Sequence, residues 1–431
     1  MSPRLVLPPL LAAGLFAGAS AAADNPCAAS GCHETLLQGR SVHAAAESCD
    51  GCHEATAKPH PQKGKKTFRL AAQQPDLCQS CHEAFTKAVV HAPVKDGTCT
   101  TCHDPHASKE AKLLSSPEKD LCGACHSDHV EFKVPHGPVA AGACTACHTP
   151  HESDDKALLL KPAPGLCFGC HTDLEQALKK KVVHAAVEGG CTSCHDPHGS
   201  SNPKLLAEAG GGVCFSCHAD VGDRVQKGAV VHAAVKSAKG CASCHSPHAA
   251  DEPKLLLSPE KDLCLSCHKT VLAKTMTVLH GPIAQGRCTA CHDPHGGPNP
   301  RLLVGTFPAE PYVAYTDKEF GLCFTCHNRD LLRFPDTSFA TGFRDGERNL
   351  HYLHVNNKAK GRSCRLCHAM HGADNPALIA EKVTFGSWAL PLKFVKSENG
   401  GSCSPGCHKP QSYSRKGATL KPEPAPAAPK K

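Results

Sequence analysis

Bulky apolar side chains are scarce in this sequence. Aromatic residues make up 4% of its 431 positions, and Trp388 is the one tryptophan. A chain of this length that built its core from its own side chains would carry more of them. Methionine is rarer still, with Met1, Met276 and Met370 only, so thioether ligation at many metal centres is excluded. Beyond the first two dozen residues no apolar run approaches the ~20 residues of a membrane-spanning helix, and an integral membrane protein is not expected. Strand-like alternation is almost absent. Cysteine is abundant, and what it lacks is a solitary member: all thirty fall into fifteen close pairs.

Thirteen of those pairs obey Cys-x-x-Cys-His. They are Cys49 and Cys52, Cys78 and Cys81, Cys99 and Cys102, Cys122 and Cys125, Cys144 and Cys147, Cys167 and Cys170, and Cys191 and Cys194. Further along come Cys214 and Cys217, Cys241 and Cys244, Cys264 and Cys267, Cys288 and Cys291, Cys323 and Cys326, and Cys364 and Cys367. The histidines that follow are His53, His82, His103, His126, His148, His171, His195, His218, His245, His268, His292, His327 and His368. Two pairs are stretched: Cys27 and Cys32 end in His33, and Cys403 and Cys407 end in His408. Two thiols one turn apart can add to the two vinyl groups of one haem, and the adjacent His then reaches the iron as proximal ligand. A disulfide framework needs no His after every second Cys, and zinc normally closes four ligands from two separated clusters. The sequence therefore predicts about fifteen covalently attached haems c.

Haem would also supply the missing apolar bulk, and the chain without it is expected to be largely unfolded. The formal charge of +7 is not a nucleic-acid signal. Thirty propionates would take the loaded, exported protein to about −9 oxidised and about −24 reduced, so no nucleic-acid partner is expected. The lysines at 63, 65 and 66 and at 179–181 read as propionate partners or solvated faces.

The motifs repeat every ~45 to 50 residues. Each unit has a leading His, a first motif, a second His close behind it, a Leu-Leu segment and a second motif. The clearest copy has His91, Cys99 to His103, His106, Leu113 and Leu114, then Cys122 to His126. Sixteen histidines lie outside the motifs, and fifteen irons need a distal ligand each. Fourteen recur two to a repeat: His43 and His60, His91 and His106, His136 and His151, His184 and His198, His232 and His248, His280 and His295, His354 and His371. His129 and His351 complete the sixteen, each a ligand or a surface residue; His129 follows His126 at the offset of His106 from His103. Seven two-haem units account for fourteen haems, and the haem at Cys27 stands outside them; a His of a neighbouring chain is one source for its distal ligand. Two imidazoles on one iron leave it low-spin and closed, which suits electron transfer and disfavours catalysis.

Residues 1–23 read as a secretory signal: Arg4, an apolar run from Leu5 to Ala17, and an Ala21-Ala22-Ala23 cleavage site. Residues 24–295 form the regular haem-binding region, 296–408 a divergent haem-binding region with insertions, and 409–431 a disordered Lys, Pro and Ala tail. Ser116-Pro117-Glu118 and Ser258-Pro259-Glu260 predict helix starts with Ser at the N-cap, and residues 173–183 predict a helix delivering His184. The expected fold is mainly irregular, with short α-helices and little or no β, an elongated series of two-haem units.

The run of His, Cys-x-x-Cys-His, x-x-His and Cys-x-x-Cys-His from Cys27 to His408 resembles the doubled-motif multihaem cytochromes, which include cytochrome c3-like proteins and the periplasmic decahaem cytochromes of porin–cytochrome conduits. The resemblance implies closely spaced haems and an electron carrier or conduit in anaerobic or extracellular respiration. It implies other redox proteins as electron donor and acceptor, an outer-membrane porin as a further partner, and export to the periplasm, with outer-membrane or extracellular placement as variants. The alternative is a multihaem oxidoreductase with one open iron, reducing a nitrogen or sulfur oxyanion. A charge reservoir without a directed path is a third expectation.

Overall fold

The computed structural model describes residues 26–28, 31–272 and 276–417. The segment read as a secretory signal and the last fourteen residues of the tail lie outside the described residues. The chain forms two compact bodies. One runs to Cys170 and takes in Cys194–Ala207; the other comprises His171–Ser193 and everything from Glu208 onward.

In the first body each repeat is built from very short pieces. A two-residue strand, Val89–Val90, leads into His91, and one turn of helix, Ala92–Lys95, follows. The first motif sits on the 3-10 turn Cys99–Thr101, and the second on the helix Glu118–Gly123. Proline sets the helix boundary: Pro117 is extended (ψ 143°), so it is the cap itself, one residue later than the Ser116 cap expected.

Strands connect each repeat to the next. Ser41–Val42 pairs with Ala107–Ser108, Val89–Val90 with Glu152–Ser153, and Val134–Pro135 with Gly199–Ser200. In every case the strand before a leading His meets the strand after the close His of the following repeat. The second body repeats the device, with Val182–Val183 on Ala249–Ala250, Val230–Val231 on Gly296–Gly297, and Val278–Leu279 on Gly372–Ala373. The helix expected over 173–183 therefore stops early, at Thr172–Ala177, because Val182 and Val183 give their backbone groups to this ladder.

The divergent region carries a core of its own. Phe320, Leu332 and Val355 are buried together with Phe324 and Tyr315, and Leu366, Val383 and Leu392 form a second cluster. Elsewhere the apolar core is thin: before Phe320, the buried apolar side chains among the described residues are Ala46, Ala249, Ala250 and Pro308. The tail read as starting at 409 first adds a strand. Gln411–Ser414 pairs with Gly400–Cys403, which pairs with Val395–Ser397. Ser414 N–H donates to the buried Asp345 carboxylate at 2.9 Å, and Arg415 donates to the Glu398 carbonyl, so these residues are held by partners that composition does not reveal. Among the described residues no helix is long and apolar enough to cross a membrane.

Candidate haem-binding sites

Twelve of the motif histidines face a second imidazole across a gap of one size. In the first body the ring centres of His33 and His60 lie 6.1 Å apart, His43 and His82 6.0 Å, and His53 and His106 6.1 Å. His91 and His126 are 6.1 Å apart, His103 and His151 5.9 Å, and His148 and His198 5.9 Å. In the second body His184 faces His218 at 6.0 Å, His232 faces His268 at 5.9 Å, and His245 faces His295 at 6.2 Å. His280 and His327 are 6.1 Å apart, His292 and His371 6.2 Å, and His351 and His368 6.4 Å. Metal–imidazole bonds of about 2.0–2.1 Å on both sides of one ion put ring centres about 6 Å apart. The planes of each pair lie within 29° of parallel. His354 lies within electrostatic reach of His408.

Hydrogen bonds prepare these rings for metal. His43, His91, His136 and His184 each direct Nδ1 at the carbonyl of the Pro before a close His: Pro105, Pro150, Pro197 and Pro247, at 2.8–3.0 Å. A carbonyl only accepts, so Nδ1 carries the proton and Nε2 keeps its lone pair for iron. The first-motif histidines do the same through the Leu-Leu segment. His103 donates to the Lys112 carbonyl at 3.0 Å, and His148, His195, His245, His292 and His368 to Ala157, Lys204, Lys254, Arg301 and Ala377. Each acceptor and the Leu after it lie in the left-handed region, as at Lys112 and Leu113 (both φ 59°). That conformation is costly for a side chain with a Cβ, and its recurrence in six repeats places a carbonyl beneath a proximal imidazole each time. The Asp-Pro-His triplets set the close histidines: the Asp104 carboxylate accepts the His106 N–H at 2.9 Å, and Asp196 and Asp293 do so for His198 and His295. Burial pushes His151, His198, His295 and His371 below the usual imidazole value. It takes His351 and His354 down to about 4, so both are neutral donors at neutral pH.

The cysteines adjoin in sequence order within each body. Cys27 is hydrogen-bonded to Cys49, Cys78 to Cys99, and Cys122 to Cys144. Cys102 interacts with Cys125, and Cys147 with Cys170. Burial, and then Cys144, push the Cys122 thiol up to about 12. In the second body Cys264 is hydrogen-bonded to Cys288 and Cys323 to Cys364, while Cys244 interacts electrostatically with Cys267, Cys291 with Cys326, and Cys367 with Cys403 and Cys407. None of the thirty is in a disulfide. Among the described residues no cluster of three or more His, Cys, Asp or Glu is arranged around a bare metal ion. The residues present thus fit haem: paired attachment thiols, two opposed neutral imidazoles and a thin apolar core.

Three histidines occupy places that spacing alone did not assign. His60 lies in the excursion between the paired strands His53–Ala55 and Phe68–Leu70, with Nδ1 on the Thr67 hydroxyl at 2.5 Å, and it faces His33. The motif at Cys27 thus finds a facing imidazole for His33 within its own chain. At the other end His351 faces His368, where a further repeat would have supplied a close His. His129 is the one to spare. It lies 6.3 Å from His126, which His91 already faces, and it tilts over His198 at 4.6 Å and 33°. Phe85 tilts over His151 in the same way, at 5.2 Å and 31°. Both residues stand three places after a second-motif His, where later repeats have Leu174, Val221 and Val271. That apolar series was the available signal: His129 holds a packing position, not the position of His106.

His351 and His354 share the helix Leu350–Val355, whose cap is Asn349. Asn349 is fully buried; its Oδ1 accepts the Tyr352 N–H, and its Nδ2 donates to the carbonyls of Leu331 and Phe334 at 3.0 and 2.9 Å. Asn349→Ala removes the cap and strands two buried carbonyls, a loss of about 3 kcal/mol. Amide hydrogen exchange across 350–355 should accelerate about 100-fold, and Asn349→Asp should give no rescue, because it keeps the cap acceptor but sets a carboxylate that cannot donate against the Leu331 and Phe334 carbonyls.

Comparison with known proteins agrees with this geometry. A family model described as a doubled CXXCH motif matches six times, at residues 43–87, 91–131, 136–176, 184–223, 232–273 and 280–331. Each match begins on a leading His. The multiheme cytochrome MtrA of Shewanella baltica (strain OS185) is 28% identical over 89 residues, a match that spans 18% of this chain and 27% of the relative's length. With more than half of its residues inside those six matches, the chain belongs to the doubled-CXXCH family and is a multihaem c-type cytochrome.

Proposed function

We propose that the protein holds fifteen haems c, each between two imidazoles, and carries electrons along them in motif order within each body. The observation that carries this is the recurrence of twelve opposed imidazole pairs at 5.9–6.4 Å. His354 lies within electrostatic reach of His408, and His136 and His248 hold the leading and close positions of their repeats. Haem iron with two imidazoles gains and loses one electron reversibly with little rearrangement. The chain's own contribution is positional. It fixes the Nε2 tautomer through backbone carbonyls, it keeps the rings neutral by burial, and it brings successive attachment thiols side by side. The sequence leader supports export, with the periplasm as the destination and outer-membrane or extracellular placement as variants. Electron donor and acceptor proteins, and a porin where the protein serves a conduit in anaerobic or extracellular respiration, follow from the family resemblance.

Low-temperature EPR of the air-oxidised holoprotein, with haem content on the same sample, tests the proposal. About fifteen haems, all low-spin, are expected. A stoichiometric high-spin ferric signal would mean an open iron and would move the protein to the oxidoreductases.

A further inference from the structure

The residue two places before each close His follows a rule of its own. It is Asp104 before His106, Thr149 before His151, Asp196 before His198, Ser246 before His248, Asp293 before His295 and Ala369 before His371. Acid and neutral residues alternate strictly along these six repeats.

The backbone does not require the acid. At all six positions the N–H donates to a Leu carbonyl of the Leu-Leu segment at 2.7–2.8 Å, from Asp104 on Leu113 to Ala369 on Leu378. Nor does the spacing of the rings. His106, His198 and His295 stand 6.1, 5.9 and 6.2 Å from the histidines they face, and His151 and His371, without an acid, stand at 5.9 and 6.2 Å. What the acid adds is charge. The Asp104 oxygen that accepts the His106 N–H also lies 3.8 Å from Nδ1 of that ring, and the matching distances are 3.9 Å at Asp196 and 3.4 Å at Asp293. Glu152, beside His151, is engaged elsewhere: it accepts the Thr86 and Lys87 N–H groups at 2.6 and 2.7 Å. A carboxylate against the outer nitrogen of an iron-bound imidazole favours ferric over ferrous iron, because the ferric site carries one more positive charge.

We propose that Asp104, Asp196 and Asp293 lower the potentials of the haems at Cys49, Cys144 and Cys241 below those of the haems at Cys99 and Cys288. The close histidines behind which these acids stand face His53, His148 and His245, the motif histidines of the three sites. The haem positions rest on the function proposed above; the difference between them rests on the placement of the acids. These are the second, sixth and tenth motifs, so every fourth site up to the tenth resists reduction. A partly reduced protein then keeps its electrons in the stretches between, and each acid-backed haem is an uphill step for an electron in transit. The third site is moderated. Arg224, on the helix Ala219–Lys227, reaches the other Asp293 oxygen at 3.3 Å, whereas neither Asp104 nor Asp196 has a Lys or Arg partner among the described residues.

A spectroelectrochemical titration of the holoprotein at fixed pH, with dithionite as reductant, tests this. Each iron gains one electron, and no bond forms or breaks. The triple variant Asp104→Asn, Asp196→Asn, Asp293→Asn keeps an oxygen for each His N–H and removes the charge. About a fifth of the haem absorbance should move to higher potential, by about tenfold in the redox equilibrium constant (~59 mV for one electron) at the first two sites and by less at the third. The reverse change, Thr149→Asp, should lower the haem at Cys99 by a similar factor. Haem content and low-spin EPR should be unchanged in both variants, which separates charge from ligand placement. A triple-variant titration that superposes on wild type would overturn the proposal. So would a shift spread evenly over all haems, the mark of altered net charge. If the triple variant loses haem, Thr149→Asp decides alone, and an unmoved haem at Cys99 sinks the idea. A wild type short of low-spin haems would count against the function proposed above instead.

Discussion

His351→Ala is expected to convert one haem, and no other, from low-spin to high-spin. The signal should integrate to about one iron in fifteen, and the reduced variant should bind about one equivalent of carbon monoxide where wild type binds none. The His351 ring stands 6.4 Å from that of His368 with planes 16° apart, so a haem held there as proposed would be left with His368 as its one imidazole. The site is built to keep that imidazole neutral and fixed. Burial, with His368 second, lowers it to about 4, and Nδ1 is 2.8 Å from the Thr341 hydroxyl. The neighbouring His354 offers no substitute, because its ring is fixed elsewhere, stacked on Phe343 at 5.7 Å with Nδ1 on the Leu350 carbonyl at 2.7 Å. His129→Ala is the contrasting case. His126 keeps His91, and His198 keeps His148, so every iron should stay low-spin. A high-spin signal from His129→Ala and none from His351→Ala would reverse the assignment.

The contrast between those two residues shows where the sequence was legible. The attachment motifs were fully visible, because Cys-x-x-Cys-His is a local pattern whose spacing is the chemistry. The leading and close histidines were visible as positions, but their pairing was not. His91 faces His126 of its own repeat, whereas His106 faces His53 of the repeat before. That crossing is made by two-residue strands such as Ser41–Val42 on Ala107–Ser108, too short to leave an alternating pattern. The Leu-Leu segment was legible as a repeated signature, yet its use, turning a carbonyl toward the proximal ring, depends on left-handed residues such as Lys112 that carry no glycine to announce them. His60 and His351 lie at the two ends of the array, in insertions where repeat logic has no neighbour to copy. His129 misled through its offset alone.

The chain prepared without haem should fail to fold through its regular region. Before Phe320 the buried apolar side chains among the described residues are three alanines and Pro308, which bring little hydrophobic stabilisation, since burying a larger apolar side chain contributes ~1.5–3 kcal/mol. Two-residue strands and one-turn helices cannot persist by themselves, because a first helical turn costs more than it returns and an isolated pair of strands is marginal even at full length. Expression without haem-attachment machinery should therefore yield a chain with weak far-UV circular dichroism, rapid proteolysis and no cooperative thermal transition. The divergent region is the expected exception in part. Phe320, Leu332, Val355, Leu366, Val383 and Leu392 are buried there on protein contacts. Limited proteolysis should remove residues before about 300 first and leave C-terminal fragments that survive longest. Uniform resistance of the haem-free chain would show that the repeats hold together without their cofactor, and the apolar core would then have to lie in contacts other than those with haem.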